Sequence, residues 1–268
     1  MSGLQENTQT AAIGVRLRGI RRVFDNNFVA IDGIDLNVAP GEFLAILGPS
    51  GCGKSTLLRL IAGLDQPQAG SIDIESSPAA AFLEYEREAR ADIAYVFQDA
   101  HLLPWRTVLH NVALPLELMH AAKADRLDAA RRAIEQVGLA EAVDRYPNQL
   151  SGGQRMRVSL ARAMVTDPKL LLLDEPFAAL DEITRQKLDE QLRQLWIDRG
   201  MTVLFVTHST QEAVFLAERA VVMTRRPGRI IHDGRIDLPT ERPALIRATP
   251  AFVHEMRVIF EALEKGGA

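Results

Sequence analysis

A single cysteine, Cys52, occurs among the 268 residues, so no disulfide bond can form within the chain. Such sparing use of cysteine is typical of proteins that work in a reducing compartment. The sequence also lacks any run of about 18 apolar residues that could span a membrane, and its first 15 residues lack the basic and apolar regions of a signal peptide. We therefore expect a cytoplasmic protein that does not cross a membrane by itself.

Long blocks of like charge are missing as well. The chain has 31 Lys and Arg against 35 Asp and Glu, a formal net charge of −4. Segments that bind nucleic acid usually carry a visible excess of basic residues. The charge pattern therefore argues against a nucleic-acid partner, while a hydrophobic share of 47% indicates an ordinary folded protein.

Short apolar runs followed by polar or glycine-rich turns predict the strands of a buried sheet. They occupy residues 43–47, 93–97, 170–173 and 203–206. Continuous apolar runs of this length are typical of parallel strands that are covered on both faces. The leucine run at 170–173 is also compatible with a buried helix, but the Asp-Pro before it and the Asp-Glu-Pro after it favour a strand. The sequence therefore predicts an α/β fold with a mainly parallel sheet.

A helical pattern interrupts these strands between about residues 99 and 165. Within it, apolar residues recur at helical spacing, as at Leu127, Ala130, Ile134 and Val137. We interpret this segment as a helical subdomain inserted into an α/β domain at residues 15–235. The remaining residues, 236–268, are predicted to form a tail with a short helix, because Thr249 and Pro250 suit an N-cap and a first helical position.

The octapeptide GPSGCGKS matches the phosphate-binding pattern G-x-x-x-x-G-K-S/T and lies between a predicted strand and an amphipathic helix. Glycines in such a loop allow backbone N–H groups to surround an oxyanion, and the helix N-terminus adds its positive end. Lys54 is expected to neutralise the β- and γ-phosphates, and the Ser55 hydroxyl to bind Mg²⁺. Cys52 is interpreted as a small filler rather than a redox group. The predicted nucleotide-binding residues here are Gly48, Pro49, Ser50, Gly51, Cys52, Gly53, Lys54, Ser55 and Thr56.

Polar side chains with catalytic potential follow three other predicted strands. Asp174 is placed to hold the Mg²⁺ shell, and Glu175 to orient or deprotonate the attacking water. His208 is placed to donate a hydrogen bond to a γ-phosphate, although a lone histidine after a strand more often has a structural role. Gln98 is expected to bind Mg²⁺ or water. The predicted catalytic residues are thus Glu175, His208 and Gln98, and the predicted metal ligands are Ser55, Gln98 and Asp174.

The segment LSGGQ, residues 150–154, places a serine and two glycines at the start of a predicted helix and so forms a second anion site. In order and spacing, GPSGCGKST, Gln98, LSGGQ, LLLLDEP, residues 179–181 and His208 resemble the motif series of the ATP-binding cassette ATPases over about residues 15–235. The resemblance implies a P-loop NTPase core, an N-terminal antiparallel β-subdomain, an inserted helical subdomain, and the cofactors ATP and Mg²⁺.

The resemblance also implies that the second anion site serves another molecule. Ser151, Gly152 and Gly153, with Gln154, are expected to bind the γ-phosphate of an ATP that a second copy of the chain holds. Two copies facing head to tail about a twofold axis would sandwich two ATP molecules. Asp181 is expected to couple the two sites across that interface.

An aromatic residue that stacks on adenine is a further feature of the family. Phe24 resembles this residue, although tyrosine is common there, and Phe28 is a competing candidate. The stretch at residues 70–92 is longer and less glycine-rich than the family pattern.

The sequences of several segments resemble those of ATPase subunits from importers for nitrate, sulfonate, taurine or pyrimidine precursors. This resemblance implies separate permease subunits, an indirect role for a solute-binding protein, and a location on the cytoplasmic face of the membrane. The apolar residues Leu102, Leu103, Pro104 and Trp105 suit a docking groove for a permease helix, and the alternative is that they belong to the core.

Other functions fit the sequence less well. Cassette ATPases that act on nucleic acid carry long coiled coils or lobes between the two phosphate sites, whereas Ser151 lies only 96 positions after Ser55. A regulatory module without hydrolysis is disfavoured by the intact Lys54, Glu175 and His208. The motifs alone do not distinguish an exporter from an importer. Many exporters, however, carry the membrane span and the ATPase in one chain.

Overall fold

The structure, a computed structural model, describes residues 12–25, 27–75, 92–178 and 180–267. The smaller of two sheets is antiparallel. Its strands β1 (Gly14–Phe24), β2 (Phe28–Val38) and β4 (Ala69–Glu75) lie in the spatial order β2-β1-β4. This sheet confirms the predicted N-terminal β-subdomain. Most of the unusual stretch at 70–92 lies outside the described residues.

The larger sheet has six strands. In spatial order they are β5 (Ile93–Val96), β6 (Leu170–Asp174), β7 (Thr202–Val206), β3 (Phe43–Leu47), β8 (Arg219–Met223) and β9 (Ile230–Arg235). All neighbours pair in parallel except β8 and β9. The four predicted strands are all present, with their ends shifted by one residue at most: Phe97 lies beyond its strand, while Asp174 and Thr202 belong to theirs.

The β3 strand separates two apolar cores. Leu44 and Ile46 face the core shared with the antiparallel sheet, whereas Ala45 and Leu47 face the core shared with the helical subdomain. Every residue of β3 is buried. Helix α1 (Lys54–Ile61) follows β3 after a glycine-rich turn and packs into the first of these cores. The strand–loop–helix unit predicted around the phosphate loop is therefore fixed between packed layers.

The helical subdomain follows β5 as predicted. Its helices are α2 (Val108–Val112), α3 (Leu114–Leu118), α4 (Lys123–Gln136) and α5 (Gly152–Met164). Ala130, Ile134 and Val137 are buried, and Leu127 is partly buried against the same core. The predicted apolar face of α4 is thus the face that packs.

The C-terminal half adds α6 (Glu182–Arg199), α7 (Thr210–Leu216) and α8 (Pro250–Gly267). Helix α8 begins at Pro250, where the Phe252 N–H donates to Thr249 Oγ1 at 3.3 Å. It runs for 18 residues and starts at the Thr249 and Pro250 positions that the sequence predicted. Phe252, Ile259 and Ala262 along α8 are buried in the core of the helical side of the sheet.

Candidate nucleotide-binding site

The turn from β3 to α1 has a backbone that only glycine adopts without strain. Gly53, the N-cap of α1, has a φ of +104°, and no side chain caps this helix. A Cβ atom at Gly48 would lie 2.8 Å from Cys52 Sγ and 2.9 Å from the Met223 carbonyl oxygen. The first N–H groups of α1 are left to a ligand, which makes the turn an anion site.

Lys54 is buried inside this turn, which is unusual for a charged lysine side chain. Its side chain is only 5% exposed, and Nζ donates to the carbonyls of Gly48 at 2.8 Å and Pro49 at 3.2 Å. Nζ also lies 3.8 Å from Glu175 Oε1. A buried ammonium that is satisfied mainly by backbone carbonyls is well suited to meet an incoming anion.

Ser55 and Asp174 form a cluster of oxygen atoms beside the loop. Ser55 Oγ donates to Asp174 Oδ1 at 2.8 Å, and the Tyr95 hydroxyl donates to Asp174 Oδ2 at 3.0 Å. Burial, together with the charge of Asp174, raises the pKa of Tyr95 well above its ordinary value, so the phenol stays protonated as a donor. A hydroxyl and a carboxylate are ligands that Mg²⁺ accepts, so the donor set fits this ion. Sequence reasoning missed Tyr95 because it lies within an apolar strand.

Glu175 and His208 meet at the same edge of the sheet, as the sequence predicted. His208 Nδ1 lies 3.3 Å from Glu175 Oε2. Glu175 has a φ of +46°, and its N–H donates to the Val206 carbonyl at 3.0 Å. A left-handed backbone at a residue other than glycine stores about 1–3 kcal/mol of strain and is found mostly at functional positions.

The loop that carries His208 is fixed by a buried acid. Thr207 Oγ1 donates to Glu212, which is only 5% exposed, and the Ser209 N–H donates to Thr207 Oγ1 at 2.9 Å. Arg185 of α6 lies within ion-pair distance of Glu212, with Nε 3.4 Å from Oε1. Burial raises the pKa of Glu212, and its hydrogen bond with Thr207 and the charge of Arg185 oppose this shift. No motif indicated Glu212 in the sequence.

A cleft of about 400 Å³ joins Lys54, Ser55 and Glu175 to two aromatic rings, while Asp174 and His208 lie outside its lining. Phe24 is 38% exposed, and its ring centroid lies 6.2 Å from that of Phe28. Both candidates for the adenine-stacking residue therefore line the cleft. Sequence reasoning missed Arg226, which is also in the lining. The predicted residues that line it are Phe24, Ser50, Gly51, Gly53, Lys54, Ser55, Thr56, Gln98 and Glu175.

The second predicted anion site lies elsewhere on the chain. Ser151 is the N-cap of α5, where its Oγ accepts from the Gln154 N–H at 3.3 Å and its N–H donates to Gln154 Oε1 at 2.9 Å. This reciprocal capping box holds the helix start while Ser151 and Gly152 remain exposed. Among the described residues that line the cleft around Lys54, none belongs to segment 150–154.

Asp181 also lies outside the cleft. It is the N-cap of α6, and its Oδ1 accepts from the Thr184 N–H at 3.0 Å. This hydrogen bond lowers the pKa of Asp181. A Cβ atom at Gly153 would lie 3.1 Å from Thr184 Cγ2, so the starts of α5 and α6 are packed against each other. Residue 179 of the same predicted segment lies outside the described residues.

Comparison with known proteins identifies the family. Residues 31–178 match the family model described as ABC transporter. The chain is 48% identical to an aliphatic sulfonates import ATP-binding protein of Pseudomonas aeruginosa, over 86% of this chain and 77% of that protein. The chain belongs to the ABC transporter ATPase family. This cassette is also 48% identical to a taurine import ATP-binding protein of Chromobacterium violaceum, over 75% of each chain.

A solved structure agrees with this assignment. The dimeric ATP-binding cassette MJ0796, in a post-hydrolysis state bound to ADP and Pi, matches 84% of this cassette and 100% of that chain, with 33% identity and a TM-score of 0.73. The family and this structure identify the cassette as an ATP-binding ATPase. They give no support to the nucleic-acid alternative that the sequence left open. None of the helices in the described part of the cassette has the length and apolarity that a bilayer crossing requires.

An apolar groove lies on the surface of this cassette between β5 and the helical subdomain. It has a volume of about 530 Å³, and Phe97, Leu114, Leu118 and Met119 contribute to its lining. Leu118 is 70% exposed and Met119 53%. The predicted docking residues divide between the two interpretations, because Leu102 packs against the core whereas Trp105 is 72% exposed.

Proposed function

We propose that this cassette works as a head-to-tail dimer, in which each ATP is held between the phosphate loop of one copy and segment 150–154 of the other. The observation that carries the proposal is the separation of two anion sites within one chain. Lys54 lies in a cleft with Asp174 and Glu175 nearby, whereas Ser151 starts an exposed helix outside that cleft. A second copy would bring an exposed helix start to the open cleft.

Each residue of the first site has a proposed role in binding. Lys54 would exchange the carbonyls of Gly48 and Pro49 for the β- and γ-phosphates, and the backbone N–H groups of the loop and of the first turn of α1 would surround the phosphate chain. Ser55, Asp174 and Gln98 would hold Mg²⁺, which supplies charge neutralisation of the phosphate oxygens when bound. Phe24 would stack on adenine, with Phe28 as the alternative in the same cleft.

Hydrolysis is assigned to the pair at the sheet edge. Glu175 would orient and deprotonate the attacking water, since its carboxylate lies near both Lys54 and His208. His208 would donate a hydrogen bond to the γ-phosphate while its Nδ1 stays beside Glu175. Gln98, which follows β5 and lines the same cleft, would contact the metal or the attacking water.

The second site is proposed to complete the first one in the dimer. Ser151, Gly152 and Gly153 would bind the γ-phosphate of the ATP on the partner copy, and Gln154 would keep the helix start in place through the capping box. Asp181 would link the two sites, because its helix packs beside Gly153. A twofold arrangement would make the interface self-complementary.

The cellular role is proposed to be solute import through separate membrane permease subunits. The names of the two import ATP-binding relatives favour aliphatic sulfonates or taurine over nitrate or pyrimidine precursors. A permease helix would dock in the apolar groove beside Gln98, near the exposed Trp105, and a solute-binding protein would act indirectly. The cassette would then sit on the cytoplasmic face of the membrane.

The test of the dimer uses a variant that binds ATP without hydrolysing it. Glu175→Gln with ATP and Mg²⁺ should elute as a dimer in size-exclusion chromatography, and adding Ser151→Ala to it should shift the protein towards the monomer. ATP affinity of the double variant, measured under conditions where the protein is monomeric, should stay near that of Glu175→Gln. An ATP-loaded Glu175→Gln protein that remains monomeric at high concentration would refute the sandwich.

A further inference from the structure

Two arginine–phenylalanine pairs stand side by side at the cleft. The Arg22 guanidinium lies 4.7 Å from the ring centroid of Phe24, and the Arg226 guanidinium lies 4.4 Å from that of Phe28. Cation–π contacts of this kind hold both the charge and the ring in place. The two pairs have the same local geometry, so a difference between them has to come from their surroundings.

The two arginines differ in their polar partners. Arg22 is paired with Asp65, with Nη2 2.8 Å from Oδ1 and Nε 2.9 Å from Oδ2. Arg226 Nε instead donates to the carbonyl of Gly51 at 2.7 Å. Among residues 12–25, 27–75, 92–178 and 180–267, no carboxylate forms an ion pair with Arg226. Arg226 therefore has a positive charge that no carboxylate within these ranges neutralises.

This charge lies directly on the phosphate loop. Arg226 lines the same cleft as Lys54, and a Cβ atom at Gly51 would lie 2.5 Å from Arg226 Nη2. Gly51 has a φ of +73° as well, so the loop at this position requires glycine both for its backbone and for the approach of the guanidinium. After the bond to Gly51, most of the N–H donors of Arg226 remain for another acceptor.

The turn that carries Arg226 is itself fixed. Thr224 Oγ1 donates to the Pro227 carbonyl at 2.9 Å and accepts from the Arg229 N–H at 3.0 Å. The Gly228 N–H donates to the Ala30 carbonyl at 2.9 Å, which ties the turn to β2. The guanidinium is thus held in position before a ligand arrives, which lowers the entropic cost of using it for binding.

We propose that Arg226 is a nucleotide-binding residue that contacts the phosphate chain of ATP from the side of Phe28. A guanidinium that is fixed against a phosphate loop, and has no ion pair among the described residues, matches a phosphate oxygen in charge and in hydrogen-bonding geometry. Arg22 has no such role, because Asp65 already occupies its donors. The inference rests on the proposed nucleotide site and adds a residue from the β8–β9 turn to it.

The test compares the two arginines in the full-length chain. Arg226→Gln keeps a donor for the Gly51 carbonyl but removes the charge, and Arg226→Lys keeps the charge. Arg22→Gln is the matched control. We expect Arg226→Gln to weaken the binding of ATP by about 10-fold or more, and Arg226→Lys to recover part of the loss. Arg22→Gln releases the ring of Phe24, so it should change the affinities for ATP and for adenosine by the same factor, to within about twofold. Isothermal titration with ATP and with adenosine at low and high salt gives the readout.

Charge is the decisive property. If Arg226 contacts phosphate, the loss is large for ATP, small for adenosine, and shrinks as salt screens the charge. An unchanged ATP affinity in Arg226→Gln overturns the proposal, and so does an equal loss for ATP and adenosine, which would mark Arg226 as a brace for Gly51. Lys54→Ala distinguishes failure of the nucleotide site from failure of the role of Arg226. Unaltered ATP binding in Lys54→Ala would refute the nucleotide site as a whole, whereas unaltered ATP binding in Arg226→Gln alone refutes only the role of Arg226.

Discussion

The chain contains two glycine-bearing helix starts, and they are built differently. Helix α1 starts at Gly53, which has a left-handed backbone and no capping side chain, inside a cleft that a buried lysine and the Glu175 carboxylate line. Helix α5 starts at Ser151, which caps the helix with its own side chain and is exposed. The first start depends on surrounding layers of the fold, whereas the second is complete as a local structure.

This difference indicates which part of the function needs one copy and which needs two. Backbone N–H groups without caps, a cation and metal ligands all converge within one chain at α1, and this set suffices to bind a nucleotide. At α5 the chain supplies a hydroxyl and glycine amides, and in the described part of the chain these lie outside the cleft around Lys54. The predictions below test whether the two helix starts separate binding from dimer formation.

The largest effect on ATP hydrolysis is expected at Glu175, which lies at the site around α1 and not at the start of α5. Glu175→Gln should lower the rate of phosphate release by at least about 100-fold, because a neutral amide cannot accept a proton from water. ATP binding should persist. The control is Glu182→Gln, which removes an exposed acid at the start of α6. Equal turnover in Glu175→Gln and wild type would remove Glu175 from the role of base.

A large loss of affinity is expected at Lys54. Lys54→Ala should weaken ATP binding by about 10- to 100-fold, because a charge-assisted hydrogen bond contributes about 1.5–3 kcal/mol. Fluorescent-nucleotide titration of the monomer measures this. Ser151→Ala is the matched variant in the second site and should bind ATP as wild type does in the same assay. If Ser151→Ala loses as much affinity as Lys54→Ala, both segments act within one copy and the comparison is wrong.

Folding stability should be sensitive to the glycine at the first start. Gly53→Ala places a Cβ atom 3.0 Å from Ile31 Cγ1 and 3.1 Å from the Ala30 carbonyl oxygen, at a φ of +104°. The strain should lower the free energy of unfolding by about 1–3 kcal/mol. Urea denaturation followed by circular dichroism is the measurement. A midpoint equal to that of wild type would show that the turn relaxes without cost.

The smallest effect on stability is expected at the second start. A Cβ atom at Gly152 would meet no heavy atom closer than Arg155 Nη2 at 3.9 Å, and the backbone there is helical. Gly152→Ala should therefore change the free energy of unfolding by less than about 1 kcal/mol. In the Glu175→Gln background it should nevertheless reduce the ATP-dependent dimer, since the added methyl group occupies the face proposed to meet the partner's γ-phosphate.

If the Gly152→Ala, Glu175→Gln protein forms a normal ATP-dependent dimer, the proposed contact of Gly152 with the partner's γ-phosphate is wrong. Loss of the dimer together with a large loss of stability would instead mean that Gly152 is required by the fold, as Gly53 is. The two outcomes are distinguished by running the denaturation and the chromatography on the same preparation.

Local patterns were enough to predict much of the first site. The strand before residue 48, the glycines of the loop and the helix behind it follow one another in the sequence, so their geometry is set by neighbouring residues. The same holds for the serine cap of α5 and for the apolar face of α4. The start of α8 at Thr249 and Pro250 was predicted in the same way.

Contacts between distant residues were not predictable from such patterns. Tyr95 lies 79 positions before Asp174, and Arg226 lies 175 positions after Gly51. Glu212 fixes the loop of His208 through Thr207, yet nothing in the sequence of α7 distinguishes Glu212 from an acidic residue on the surface. The contacts of Tyr95 and Arg226 arise because the sheet brings separate segments to one edge, whereas Glu212 and Thr207 are only five positions apart.

The sequence by itself determined the chemistry that this cassette carries: a phosphate loop, acids after a strand, and a second glycine-bearing helix start. Tertiary structure alone decided which groups meet, so that Lys54 faces Glu175, Arg226 lies against Gly51, and Ser151 is kept outside their cleft. The physical reason is that local conformation depends on neighbouring residues, whereas a site is formed by the packing of distant segments.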